Sequence, residues 1–309
     1  MSRWLLVILL SSLAWAATRS VEIRRSEVWV ITDGAARQLT NDGKAKLQAV
    51  LSPLQDRVAY YNECPVQEHC VPSLVILDLA GRKLGSFMPQ GKSEGQGESR
   101  ACTSILFIWW TKPSSIAAEC HIDPSLSEYI ETNIGTGKTT RDLMGYWFVP
   151  SHDGNMVAHV GWVPHFAPPF ARSNYLQIGD QTIYPVPKDD DHPVKQNGFP
   201  PYEPRQRGLS YFGIHEFETA PAWSPDVKHI GLIDCVYDWT AAGPELTTGT
   251  ESNRRCLIAV VSRRGESKLI PLERHPFQGV QLQWTDSKHL QLTVAGKRTK
   301  LLNLPALEH

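Results

Sequence analysis

The 309-residue sequence predicts an all-β chain on three observations. Short runs rich in β-branched and aromatic residues alternate with turn formers along its length. One hairpin-sized unit, an apolar strand, a polar turn often containing Ser-Pro or Asp-Gly, then a second apolar strand, recurs five times. Several copies are followed by a second hairpin that turns at glycine. Two successive hairpins make one four-stranded antiparallel sheet, and a series of such sheets is a β-propeller.

The copies run in order. Ala49–Pro53 leads into Arg57–Tyr61, Ile108–Thr111 into Ile116–Glu119, and Trp147–Gly154 into Met156–Val160. The clearest copy, Ala222-Trp223-Ser224-Pro225-Asp226, leads into His229–Ile233, and Leu282–Ser287 leads into His289–Leu292. Glycine-turned second hairpins occur at Leu74–Leu84, at Tyr129–Leu143 and after Leu257–Val261. Copies spaced ~40 to 75 residues apart predict five blades with long loops. The piece Val28–Gly34 with Arg37–Thr40 has the pattern of an outer half-blade without its inner half, so these N-terminal strands are expected to complete the last sheet and close the ring.

The sequences Ala222-Trp223-Ser224-Pro225-Asp226, Gln38-Leu39-Thr40, Ser52-Pro53 and Arg57-Val58-Ala59-Tyr60 resemble the WD40-like (PD40) repeats of TolB-type β-propellers. The resemblance covers most of the chain, although only one copy is close to the pattern. Propellers of that type are usually six-bladed, so it implies that six blades are possible.

Met1-Ser2-Arg3, an apolar run from Trp4 to Leu13 and Ala14-Trp15-Ala16 have the layout of a secretory signal peptide over residues 1–16. A single propeller domain is then expected over 17–309, periplasmic or secreted, with no integral membrane segment after cleavage. A spanning helix would need about 20 apolar residues. Lys plus Arg (31) nearly balances Asp plus Glu (32), so no global field points to nucleic acid. Six cysteines in an exported chain can pair. The repeat places Cys64 and Cys70, and likewise Cys235 and Cys256, at the ends of neighbouring strands, and Cys102 and Cys120 flank another hairpin. Three disulfides in those pairs are expected. Closing the loop between Cys235 and Cys256 is worth about 3 kcal/mol in the chain-entropy account. No C-x-x-C occurs, and neither a metal nor a cofactor is expected.

Gly135-Thr136-Gly137-Lys138-Thr139 ends like a phosphate loop, but Thr132 stands where the motif needs glycine, and the repeat wants a strand-to-strand turn there. Asp189-Asp190-Asp191-His192 lacks the spacing of a calcium loop. No G-x-S-x-G elbow is present. Asp33, Glu119, Asp153 and Asp234 lie near strand ends where a propeller glycosidase or lyase would carry paired carboxylates.

The clearest departure from the repeat is an excursion from about 161 to 221, read as a long loop insertion. It interleaves prolines with Trp162, His165, Phe166, Tyr202, Tyr211, Phe212 and His215, the candidate binding residues. Long loops in compact domains are uncommon unless functional or disordered, and aromatic side chains offer contact area with few torsions to freeze. The expected function is therefore non-catalytic binding of a protein or peptide in the cell envelope, as a binding module or scaffold. The alternative is a propeller enzyme acting on a carbohydrate.

Overall fold

A computed structural model of the chain describes residues 18–62, 72–92, 99–102, 104–123, 126–161, 173–185, 205–243, 248–272, 279–294 and 297–303. Every regular element among them is a strand, and each pair of neighbouring strands among the described residues is antiparallel, as alternating apolar and turn-forming segments dictate.

Sheet 1 contains β1 (Arg19–Arg24), β2 (Glu27–Thr32) and β3 (Ala35–Gln38). Sheet 2 contains β4 (Lys46–Leu51), β5 (Arg57–Asn62), β6 (Leu74–Asp78) and β7 (Lys83–Phe87), followed by a small ribbon of β8 (Gln90–Lys92) and β9 (Ser99–Ala101). Sheet 3 contains β10 (Ile105–Lys112), β11 (Ser115–Asp123), β12 (Leu126–Asn133) and the first half of β13 (Thr139–Pro150). The second half of β13 opens sheet 4, with β14 (Val157–Val160), β15 (Leu176–Ile178) and β16 (Gln181–Tyr184). Sheet 5 holds β17 (Arg205–Arg207), β18 (Ser210–Phe217), β19 (Ala222–Trp223), β20 (His229–Ala241), β21 (Gly249–Ser262) and β22 (Ser267–Pro271). Sheet 6 holds β23 (Val280–Trp284), β24 (His289–Val294) and β25 (Lys297–Asn303).

Successive sheets pack face to face in chain order, each junction filled by its own apolar cluster. Val28 and Val30 meet Val58 and Val75 between sheets 1 and 2. Ile76 meets Ile108 and Ile130 between sheets 2 and 3, and Tyr129 meets Phe148 and Val157 between sheets 3 and 4. Leu176 and Ile183 meet Trp223 and Leu232 between sheets 4 and 5, and Ile258 meets Trp284 and Leu290 between sheets 5 and 6. Each fully buried side chain of this kind is worth about 1.5–3 kcal/mol. This is β-propeller organisation: antiparallel sheets stacked in sequence, with β1 beside β4, β4 beside β10 and β19 beside β23.

The repeat has a structural meaning in two parts. Ser52, Ser151 and Ser224 cap equivalent turns: each hydroxyl donates to the acid that follows (Asp56, Asp153 or Asp226, 2.6–2.8 Å) and accepts an amide from the returning strand. Three residues after each serine the backbone turns left-handed, at Gln55, Gly154 and Val227. The second part is the tryptophan one position before the Ser or Thr. Trp110 Nε1 donates to the Val50 carbonyl (3.2 Å), Trp223 Nε1 to Val149 (2.8 Å) and Trp284 Nε1 to Ala222 (2.9 Å). Each ring thus reaches the backbone of the preceding sheet's first strand, at the residue before that sheet's own repeat position.

Two expectations differ from the structure. The N-terminal strands form a sheet of their own: among the described residues none of 19–38 pairs with 280–303. Val28 and Val30 carry their apolar face to sheet 2, so the segment is consumed by that junction. The excursion from 161 to 221 is not loop throughout, because β15 and β16 complete sheet 4 and β18 pairs with β20 along Ser210–Phe217. Cys102–Cys120 and Cys235–Cys256 are disulfides, the latter joining directly opposed residues of β20 and β21; Cys64 and Cys70 lie outside the described residues. Two disulfides suit an extracytoplasmic protein. Among the described residues no helix is long and apolar enough to cross a membrane.

Candidate functional site

The first strands of sheets 2, 3 and 4 share a defect at one repeat position. In β4 the register against β5 slips between Lys46 and Gln48, in β10 it slips between Ile105 and Phe107, and in β13 between Tyr146 and Val149. The extra residues lie four or five positions ahead of Ser52, Thr111 and Ser151. A β-bulge inserts an unpaired residue and re-aims its side chain, and bulges are over-represented beside functional sites. Here each one turns out a large apolar group: Leu47 is 54% exposed, Leu106 38% and Trp147 38%. Phe107, next to the second bulge, is 53% exposed. Contact between β4 and β10 brings the first two bulged strands side by side.

Trp147 occupies a backbone conformation that a bulky residue rarely adopts, φ +54°. Left-handed backbone costs an L-residue about 1–2 kcal/mol, and strain of this kind concentrates at functional sites. The approach to it needs Gly145: a Cβ there would lie 2.3 Å from the Val160 carbonyl oxygen. Behind the exposed groups runs a ring series, Phe107 to Trp109 (6.2 Å between centroids), Trp109 to Tyr129 (6.0 Å), Tyr129 to Phe148 (5.5 Å) and Phe148 to His159 (5.2 Å). Glu119 is the cross-strand partner of both Phe107 and Tyr129. Burial pushes its carboxyl above the usual range, partly offset by a hydrogen bond from Ser127. His159 is buried, which lowers its pKa and keeps it neutral, while its Nε2 lies 2.9 Å from the Gly179 carbonyl oxygen. Phe107 thus stands exposed at the head of a ring series that runs inward to His159.

The candidates drawn from the 161–221 excursion separate. Trp162, His165, Phe166 and Tyr202 lie outside the described residues. Tyr211 is core, 1% exposed and packed with Ile214 and Tyr237. It pairs with Trp239 of β20 at the edge of a register slip, and β18 buries Tyr211, Ile214 and Phe217. Phe212 is 41% exposed, at another register slip. His215 is mostly buried, its Nδ1 2.6 Å from Asp234 Oδ2.

Tyr184 OH donates to that same oxygen at 2.6 Å, and the Tyr184 and His215 rings meet edge to face at 5.8 Å. Asp234 is fully buried, and its Oδ1 has no hydrogen-bond partner among the described residues. The three residues tie β16 of sheet 4 to β18 and β20 of sheet 5. Asn174 adds to the tie, with Nδ2 donating to Tyr146 OH (2.6 Å) and Oδ1 accepting the Phe217 amide (2.8 Å).

The carboxylates considered for catalysis are dispersed. Asp33 accepts the Thr18 amide at a turn, Asp153 is bonded to Ser151 and Asn155, Glu119 belongs to sheet 3, and Asp234 to sheet 5. Gly135 to Thr139 spans a strand-to-strand turn in which Asn133 Oδ1 accepts the Gly135 and Thr136 amides. Among the described residues no group of three or more His, Cys, Asp or Glu is placed to hold a metal ion.

The chain is similar to solved β-propellers. One is the β-propeller domain of the trilobed protease from Pyrococcus furiosus, at 8% identity and a TM-score of 0.43, over 93% of this chain and 80% of that one. Another is TolB from Acinetobacter baumannii, at 13% identity and a TM-score of 0.32, over 80% of this chain and 60% of that one. A third is a TolB candidate from Agrobacterium tumefaciens, at 9% identity and a TM-score of 0.37, over 82% and 78%. At these identities and scores the likeness carries no argument about activity. No protein-family model matches the chain, and no curated relative matches it.

The bulged surface was missed by sequence reasoning. Leu106, Phe107 and Trp147 lie inside apolar runs, Leu47 stands between Lys46 and Gln48, and all four look like ordinary strand residues.

Proposed function

We propose that the protein is an extracytoplasmic binding module that holds apolar side chains of a protein partner against the bulged first strands of sheets 2 to 4. One observation carries the reading: the same bulge recurs in three successive sheets and exposes a large apolar residue each time. A fold that only needed packing would gain nothing from exposing Leu47, Leu106 and Trp147. Bulges weaken the ladder and the Trp147 backbone stores strain, and costs of that kind persist where they serve a site. Aromatic and aliphatic groups on a rigid sheet suit a partner's apolar anchors, which provide most of the free energy of protein interfaces. An exported, disulfide-bonded chain would meet such a partner in the periplasm or outside the cell.

The test is site-specific photo-crosslinking in the native envelope. A benzophenone side chain at position 106 or 147 should yield a discrete protein adduct. The same group at Leu84 or Leu269, exposed on the outer strands β7 and β22, should not. Equal adducts from all four positions, or none at 106 and 147, would remove the basis for this surface.

A further inference from the structure

The bulge that turns out Leu106 and Phe107 is held by side chains of the preceding sheet. β10 is the end strand of sheet 3, so among the described residues the backbone groups on its open edge have no neighbouring strand. Buried backbone groups of that kind need partners. Sheet 2 supplies them: Ile108 N donates to Gln48 Oε1 (2.8 Å), Gln48 Nε2 donates to the Ile108 carbonyl (3.2 Å), and Tyr61 Oη donates to the Leu106 carbonyl (3.0 Å). Gln48 on β4 and Tyr61 on β5 are directly opposed cross-strand partners. One matched pair of side chains therefore grips the backbone on both sides of Phe107.

The grip is more than a tie between two sheets. Trp110 already joins sheets 2 and 3 at the repeat position, through the Val50 carbonyl, whereas Gln48 and Tyr61 act at the register slip between Ile105 and Phe107. Tyr61 is buried and packs with Ile105 and Ile108, and burial pushes its hydroxyl pKa up, so it stays a donor. Gln48 also follows Leu47 directly, at the end of the slip in β4, while Lys46 on the other side of Leu47 is anchored by Glu27 (3.2 Å) and the Lys44 carbonyl (2.8 Å). The β4 bulge is thus fixed before and after Leu47, and the residue that fixes it afterwards holds the β10 bulge.

We infer that Gln48 and Tyr61 are positioning residues for the apolar surface: they hold β10 in the bulged form that presents Leu106 and Phe107, and they lock that form to the bulge that presents Leu47. The inference rests on the binding reading above and adds that the two bulges act as one preformed unit. Without the grip, β10 could re-register against β11, and a one-residue slip carries every side chain to the opposite face. Holding the binding shape in advance lowers the ordering cost of association, and it does so through groups that touch no partner themselves.

The test compares the whole protein with a Gln48→Met, Tyr61→Phe variant, which keeps similar side-chain volumes and removes all three hydrogen bonds. The Ile108 amide should exchange with solvent deuterium roughly tenfold faster in the variant, the change expected for one lost hydrogen bond. Tyr61→Phe alone, with Gln48 intact, should leave that amide at the parent rate. Fluorophenylalanine at position 107 should shift its fluorine resonance in the double variant, because Phe107 leaves its place 6.2 Å from the Trp109 ring. The same label at position 148, buried in the adjoining cluster, should not move; general loosening of the fold would move both. Affinity for the protein crosslinked at position 106 should fall by roughly tenfold, as loss of a supporting shell implies. An unchanged Ile108 rate, an unmoved resonance at 107, or parental affinity in the double variant would overturn the positioning role alone. A parent protein that gives no adduct at 106 is a different result, and would remove the binding surface and this role together.

Discussion

Replacing Trp223 isolates the bond that ties one sheet to the next. Its ring is 5% exposed within the cluster joining sheets 4 and 5, and its Nε1 donates to the Val149 carbonyl at 2.8 Å. Trp223→Ala removes the ring and leaves that carbonyl without its donor. Truncations of this kind cost about 3–5 kcal/mol. At about 2–4 °C per kcal/mol for a domain of this size class, the melting temperature should fall by ~6–20 °C. Trp223→Phe keeps most of the apolar contact and loses one hydrogen bond worth about 1–2 kcal/mol, a fall of ~2–8 °C. Trp110→Phe and Trp284→Phe make the equivalent change at two other junctions and should behave alike. Differential scanning calorimetry reads all four variants. A Trp223→Phe protein that melts with the parent would refute the view that these tryptophans staple successive sheets.

Further expectations concern charge and covalent links. Lys46 Nζ is buried and shared among Glu27 (3.2 Å), Asp42 and the Lys44 carbonyl (2.8 Å), next to Tyr60. Burial raises the Glu27 carboxyl, but Thr40, the Gly43 amide and Lys46 together outweigh it, and Asp42 is likewise held below its usual range. With both folded pKa values depressed, their stabilisation is present above the unfolded carboxylate pKa near 4 and is lost as pH falls through the lower folded values. Urea melts across that window should show it, and Lys46→Met should flatten the dependence. His159, neutral through burial, opposes folding once the unfolded histidine protonates, and burial lowers His229 in the same direction, so stability should also begin to fall below about pH 6.5; a His159→Gln protein should show a smaller fall in the same series. Reducing Cys235–Cys256 through a Cys235→Ala, Cys256→Ala variant should cost about 3 kcal/mol on the chain-entropy account, read by chemical denaturation.

The strand-and-turn grammar was legible because local chemistry enforces it. Ser52, Ser151 and Ser224 sit where a hydroxyl must cap a turn, and Trp223 sits where a ring can reach the preceding sheet, so the best repeat copy marked a genuine junction. The Gly135–Lys138 turn was legible for the same reason: Asn133 and the glycines specify it locally. What escaped depends on pairing over distance. β15 and β16 are three and four residues long and have no strong period of their own; they are strands because β14 offers an edge. Tyr211 and Phe212 are adjacent aromatics with opposite fates, and only the β18–β20 register decides which is core. The bulges at Leu47, Leu106 and Trp147 are mismatches between two strands, invisible in either alone. β13 runs through two sheets because Gly145 lets the chain pass close to Val160 without a break.

Trp147→Gly tests the central claim most directly, with affinity for the crosslinked partner measured by calorimetry beside the protein's melting temperature. Glycine accepts φ +54° without strain, so the variant should melt at or slightly above the parent temperature. Loss of an exposed anchor should nevertheless weaken binding at least tenfold, as removal of a central aromatic typically does. A variant that binds the partner as tightly as the parent would contradict the account.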